Sequence, residues 1–188
     1  IGNEDGTESG LMIVQYTAAA IVNDLASRAM PASVYSIPTS ANAEDHVSMG
    51  ANEARHVLAM TDDLAKVLAL ELMTAAQALD LRRDMINAAR ALAGQSDAEG
   101  FAAKVRGEPK QNDEAHAAYL QDIEGLRAEL AAAGEFGPGP AIAAAHAAIR
   151  ERIGYLERDR ALDGDVRMAV QLVDDNSVLD AVRAAMNA

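Results

Sequence analysis

Ser48-Met-Gly-Ala-Asn-Glu-Ala-Arg-His-Val-Leu-Ala-Met-Thr-Asp-Asp-Leu-Ala-Lys-Val-Leu-Ala-Leu-Glu-Leu-Met-Thr-Ala-Ala-Gln-Ala-Leu-Asp-Leu-Arg82 decides the fold. Val57, Leu58, Leu64, Val67, Leu68, Leu70, Leu72, Ala75, Ala76 and Leu79 recur at helical spacing. No proline interrupts the chain from Val47 to Glu108, and Gly94 is the first clear stop. Ser48 can serve as N-cap, with the acidic Glu53 and Glu44 near the positive end of the helix dipole. The run predicts one helix of roughly 45 residues, near 70 Å long at about 1.5 Å per residue. A helix of that length cannot bury its apolar face alone, so it implies packing within a larger assembly.

Upstream lies Pro31-Ala-Ser-Val-Tyr-Ser-Ile-Pro-Thr-Ser-Ala-Asn-Ala-Glu-Asp-His-Val-Ser-Met-Gly50, an irregular segment rich in small polar residues. Structureless segments of this length inside a domain are uncommon and usually functional. Before it, Leu11, Val14, Ala18, Ile21, Val22 and Leu25 predict a helix over 9–30, stopped by Pro31. Downstream, residues 100–113 read as a loop and 114–133 as an amphipathic helix. Gly134-Glu-Phe-Gly-Pro-Gly-Pro140 reads as a breaker. A helix over 141–156, a loop around 159–164 and two short helices split near Asp175-Asn176 complete the chain. The alternation at Val34-Tyr-Ser-Ile37 is too short for a sheet. The expected class is all-α: one helical domain over 1–188, with core helices and the 31–47 loop in 1–95 and shorter peripheral helices in 96–188.

Composition narrows the function. Half of the residues are hydrophobic but only 3% are aromatic, so alanine and leucine supply the apolar bulk of closely packed helices. The net charge is −13, and no Lys/Arg run forms a patch for nucleic acid or an acidic membrane. With no cysteine, disulfides and thiolate metal sites are excluded. No signal peptide or transmembrane span is visible, and a cytoplasmic location is expected. The chain begins without an initiator Met, as a cleaved or trimmed product would.

Glu44, Asp45 and His46 form the densest polar cluster. One of them can face a substrate; alternatively they cap and tether the loop, as acids before a helix commonly do. Glu53-Ala-Arg-His56, with Glu71 further along, is half of a di-iron pattern. A second Glu-x-x-His is absent, so an exposed Glu and His is the preferred reading and no metal is expected. His116 and His146 have no ligand spacing and read as surface or satisfied residues. The eight methionines read as core packing, and Asp62-Asp63 and Asp174-Asp175 as solvent-facing acids. Dinucleotide, P-loop and nucleophile-elbow motifs are missing.

Three blocks in order, Ser9-Gly-Leu-Met-Ile-Val-Gln-Tyr-Thr-Ala-Ala-Ala20, Ser40-Ala-Asn-Ala-Glu-Asp-His-Val-Ser-Met-Gly50 and Leu68 to Arg82, resemble the histidine/phenylalanine ammonia-lyase superfamily. The resemblance is to the C-terminal, all-helical part of such enzymes and is strongest over the first half of this chain. It implies that Glu44 binds substrate, because the histidine branch carries glutamate there and the phenylalanine branch glutamine. A carboxylate can accept an imidazole N–H or its proton, and suits a phenyl ring poorly. Two positions depart from the histidine pattern: Ala43 stands where glutamine is usual, and Tyr35 where aspartate is common.

The family's electrophile, methylidene-imidazolone, forms from Ala-Ser-Gly. Here only Ala26-Ser-Arg and Ala32-Ser-Val come near, and the family's N-terminal tyrosine base is also missing. The resemblance therefore implies no catalytic residue in this chain, a cofactor supplied by an N-terminal lyase half, a homotetramer, and inactivity of the chain alone. The alternatives are an aminomutase of the same family and a non-enzymatic helical scaffold.

Overall fold

The computed structural model describes residues 8–31, 34–105, 113–134 and 136–188. Among them the chain is all-α, with seven α-helices and no strand. These are α1 (Met12–Arg28), α2 (Gly50–Gln95), α3 (Ala98–Val105), α4 (Asp113–Ala132), α5 (Pro140–Arg150), α6 (Asp163–Asp174) and α7 (Ser177–Met186). They group into two compact units, one of residues 1–77 and 140–188 and the other of 78–139. The uninterrupted α2 contributes its N-terminal part to the first unit and its C-terminal part to the second.

In the first unit α1, α2, α5 and α6 meet in one core. Leu11, Val14, Ala69, Leu70, Met73, Ala76, Ile149, Ile153, Leu156, Ala169 and Leu172 are buried there, and Ala18, Ile21 and Val178 pack against them. Ala69, Met73 and Ala76 recur at i, i+4 and i+7 on α2, so one stripe of that helix faces the core. The alanines admit close approach of neighbouring backbone. Two distant contacts hold α1 in place. The backbone N–H groups of Ser9 and Gly10 both donate to the Asp159 carboxylate, at 2.7 and 2.8 Å. Near the other end, Arg28 donates to Asp63 of α2 at 2.7 Å. Asp63 therefore ties two helices together and is held below the usual carboxylate range, chiefly by its hydrogen bond with Lys66 and then by Arg28. The solvent-facing role expected of the Asp62-Asp63 pair holds only for the exposed Asp62.

Gln77 is a polar residue inside this apolar core, 2% exposed. Its amide Nε2 donates to the Leu156 carbonyl at 3.0 Å, and its Oε1 accepts the Leu156 N–H at 3.0 Å. One side chain thereby satisfies both main-chain groups of a buried residue in the segment after α5. That segment leaves the helix at Arg150, six residues before the expected end at 156. Arg150 caps the turn, donating to the carbonyls of Ile153 and Gly154 at 3.0 and 3.2 Å.

Between α6 and α7, Asn176 adopts a left-handed conformation, with φ of 58°. Asp175 accepts the Ser177 N–H at 2.9 Å and the Ser177 hydroxyl, while Arg152 donates to Asp175 at 2.5 Å and to the Ser177 oxygen at 2.7 Å. This network lowers the Asp175 pKa to about 2, with the Ser177 hydroxyl the largest cause and Arg152 the next. A carboxyl depressed on folding contributes stability above its unfolded pKa, near 3.8, and loses it as pH falls through about 2. The stability difference between the parent chain and Asp175→Asn should therefore be constant above about pH 5 and shrink between about pH 4 and 2. Melting curves across that range check this; a difference independent of pH would contradict it.

In the second unit Ala93, Phe101, Ala102 and Ile123 are buried, flanked by Leu92, Ala98, Tyr119, Leu120 and Leu130. Two arginines cap helix C-termini reciprocally. Arg127 of α4 donates to the carbonyls of Ala93 and Ser96 at the end of α2, at 2.9 and 3.1 Å. Arg90 of α2 donates to the Ala133 carbonyl just past α4, at 3.1 and 2.5 Å. Each cation meets carbonyls that have no partner within their own helix.

α3 corrects the loop expected from residue 100. Gly100, the first residue of that expected loop, is the third residue of a helix. Asp97 caps that helix, its Oδ1 accepting the Gly100 N–H at 2.8 Å. Burial of Phe101 then outweighs the cost of one helical glycine. Residues 106–112, the rest of that expected loop, lie outside the described residues.

Candidate functional site

The segment joining α1 to α2 forms a narrow hairpin-like loop. Its neck is closed by Ser36, whose Oγ accepts the Val47 N–H at 2.7 Å and donates to the Val47 carbonyl at 3.1 Å. Above it Thr39 and Glu44 exchange both main-chain hydrogen bonds, Thr39 N–H to the Glu44 carbonyl at 2.9 Å and the reverse at 3.3 Å. Ser40, Ala41 and Asn42 form a 3₁₀ turn at the tip. All three have positive φ, 53°, 54° and 71°. A left-handed conformation costs about 1–2 kcal/mol at Ser40 and Ala41, whereas Asn42 tolerates it, so this turn carries strain at two positions. The bonds on either side hold it.

Glu44 emerges at the foot of the tip. Its side chain is exposed, and the Thr39 hydroxyl donates to its Oε2 at 3.0 Å. Asp45 and His46 follow, also exposed, as are Ala43 and Tyr35. α2 begins at Gly50, so Ser48 sits one residue too early for the expected N-cap. Its Oγ accepts the Gly50 N–H at 3.4 Å. Glu53 lies in the first turn of α2, as expected for an acid near the positive end of the dipole. Glu44 instead makes its contacts inside the loop.

The remaining sequence candidates are dispersed. His56 is half-buried on α2, and its Nδ1 has no hydrogen-bond partner. Glu71 borders an apolar groove of about 360 Å³ lined by Leu68, Leu72, Leu172 and Val178. Among the described residues no three His, Cys, Asp or Glu side chains form a group that could hold a metal. The side chain of His116 lies outside the described residues. No described helix is long and apolar enough to cross a membrane.

The family profile described as aromatic amino acid lyase matches residues 1–106. The chain belongs to that family. The match spans α1, the strained loop, all of α2 and α3. A histidine ammonia-lyase of Gloeobacter violaceus is 34% identical over 180 residues, covering 96% of this chain and 25% of that protein. The histidine ammonia-lyase of Symbiobacterium thermophilum is 35% identical over 182 residues, 95% of this chain and 25% of its own length. That of Natranaerobius thermophilus is 56% identical over 80 residues, 43% of this chain and 16% of its own length. The chain thus spans about a quarter of the length of the curated relatives that it matches along almost all of its residues.

Two residues that sequence reading did not single out are Thr39 and Gln77. Gln77 left a signal, being a lone amide at i+4 from Met73 on the apolar stripe of α2. The role of Thr39 has none, because pairing with Glu44 depends on three left-handed residues that are not glycine.

Proposed function

We propose that these 188 residues are the C-terminal portion of an ammonia-lyase acting on histidine in the cytoplasm, and that they supply Glu44 to a pocket completed by an N-terminal half. The observation that carries this reading is the exposed carboxylate of Glu44, presented beside a tightly bonded, strained loop in a chain of the aromatic amino acid lyase family. Strain held in place by its surroundings is characteristic of functional sites. At neutral pH an ionised carboxylate can accept the imidazole N–H of a histidine substrate and so orient it. The electrophile of such enzymes supplies the electron sink for loss of ammonia, leaving an α,β-unsaturated acid. These residues contain no Ala-Ser-Gly from which it could form.

The assembly belongs to the same reading. Val57, Leu58 and Leu64 of α2 are 57%, 68% and 50% exposed, with Met12, Ile13 and Tyr16 of α1 also open. Apolar surface of that extent normally marks an interface, and we assign it to a homotetramer bundled through these helices. The purified chain should show no turnover of histidine, phenylalanine or tyrosine. Co-expression with the preceding part of its gene should restore ammonia release from histidine. Activity of the chain free of any second polypeptide would overturn the proposal, as would a stable monomer by light scattering at micromolar concentration. A β-amino acid product instead of the unsaturated acid would assign an aminomutase.

A further inference from the structure

We propose that Thr39 is a positioning residue for Glu44, a role that rests on the lyase reading above. Four observations converge on this pair. The two residues exchange both main-chain hydrogen bonds, at 2.9 and 3.3 Å. The Thr39 hydroxyl donates to Glu44 Oε2 at 3.0 Å. The four residues between them include three in the left-handed region, so the chain reverses in a tight turn that returns Glu44 beside Thr39. The Ser36–Val47 contacts fix the neck below.

The arrangement is asymmetric. Thr39 engages one carboxylate oxygen and leaves Oε1 open for a donor on a ligand. A threonine is suited to this, because its β-branch restricts χ1 and holds the hydroxyl at a defined angle. A free glutamate would otherwise sample several rotamers, and ordering it on binding costs affinity or rate. The main-chain pairing brings the two side chains together, and the hydroxyl then selects the rotamer. Thr39 never touches the substrate; it acts through Glu44.

The test uses Thr39→Val, which keeps the shape and removes the donor, and Thr39→Ser, which keeps the donor. In the complete enzyme, Thr39→Val should lower kcat for histidine by about threefold to tenfold, with KM changed less. Thr39→Ser should restore most of it. On a Glu44→Gln background Thr39→Val should add little, because the two act as one unit. Full additivity of the two losses, or Thr39→Ser no better than Thr39→Val, would overturn the role. If the complete enzyme does not turn over histidine at all, the lyase reading fails separately. Carbon-13 NMR of the Glu44 carboxyl carbon in the 188-residue chain then decides on the pairing itself. A resonance moved by Thr39→Val and kept by Thr39→Ser supports it; one indifferent to both overturns it.

Discussion

Replacing Glu44 by glutamine should cost the complete enzyme about one to two decades in kcat/KM for histidine and leave phenylalanine and tyrosine almost untouched. The substitution preserves size and hydrogen-bonding capacity and removes only the charge. A hydrogen bond to a charged group is worth on the order of 1.5–3 kcal/mol, and each 1.36 kcal/mol is tenfold in rate. A phenyl ring has no N–H to offer, so it has nothing to lose. The competing role is structural: Glu44 closes the loop through Thr39, and glutamine would loosen that closure. In that case the melting temperature falls slightly and all substrates suffer alike. Comparing kcat/KM for histidine and phenylalanine separates the two, and equal losses would sink the recognition role.

Gln77→Leu should destabilise the first unit by roughly 2–5 kcal/mol despite replacing an amide by an apolar residue of similar size. The change leaves the N–H and the carbonyl of buried Leu156 without their partner. An unsatisfied buried polar group costs about 1–3 kcal/mol, and here there are two. The gain from burying an extra apolar side chain offsets part of this. Because 1 kcal/mol shifts melting by about 2–4 °C at this size, the drop should be about 4–20 °C. Gln77→Glu keeps an acceptor for the Leu156 N–H but removes the donor to its carbonyl, so it should also be costly. A melting temperature within about 2 °C of the parent for Gln77→Leu would show that water or local rearrangement replaces the amide.

The helical elements were largely legible in the residues. Pro31 and the pattern from Leu11 to Leu25 bound α1 to within three residues at each end. The proline-free run after Val47 marks α2 to within two. Asp175-Asn176 separates α6 from α7 because an Asp–Asn pair favours a capping turn with one left-handed residue. α3 overlaps the expected 100–113 loop, whose glycines, proline and polar residues carry no helical pattern, and the Asp97 cap emerges only in the fold. Only burial of Phe101 against α4 shows why the helix forms. The apolar positions of the α2 pattern also divide. Leu70 and Ala76 are buried, while Val57, Leu58 and Leu64 of the same pattern are exposed. Periodicity identifies the apolar face of a helix but not what covers each stretch of it.

By itself the sequence determined an all-α chain of the lyase family, because helical periodicity, capping residues and ordered sequence blocks are local properties of the chain. It also singled out the Glu44 loop, through the length and polarity of an irregular segment between two apolar helices. The tertiary structure decided what no local pattern encodes. Asp159 accepts two N–H groups from residues about 150 positions earlier, and Gln77 satisfies a main chain 79 positions away. Thr39 meets Glu44 only because three residues between them are left-handed, a conformation that Ser40 and Ala41 disfavour. Such contacts arise when burial and closure supply more free energy than local preference withholds, and that balance exists only once the chain has folded.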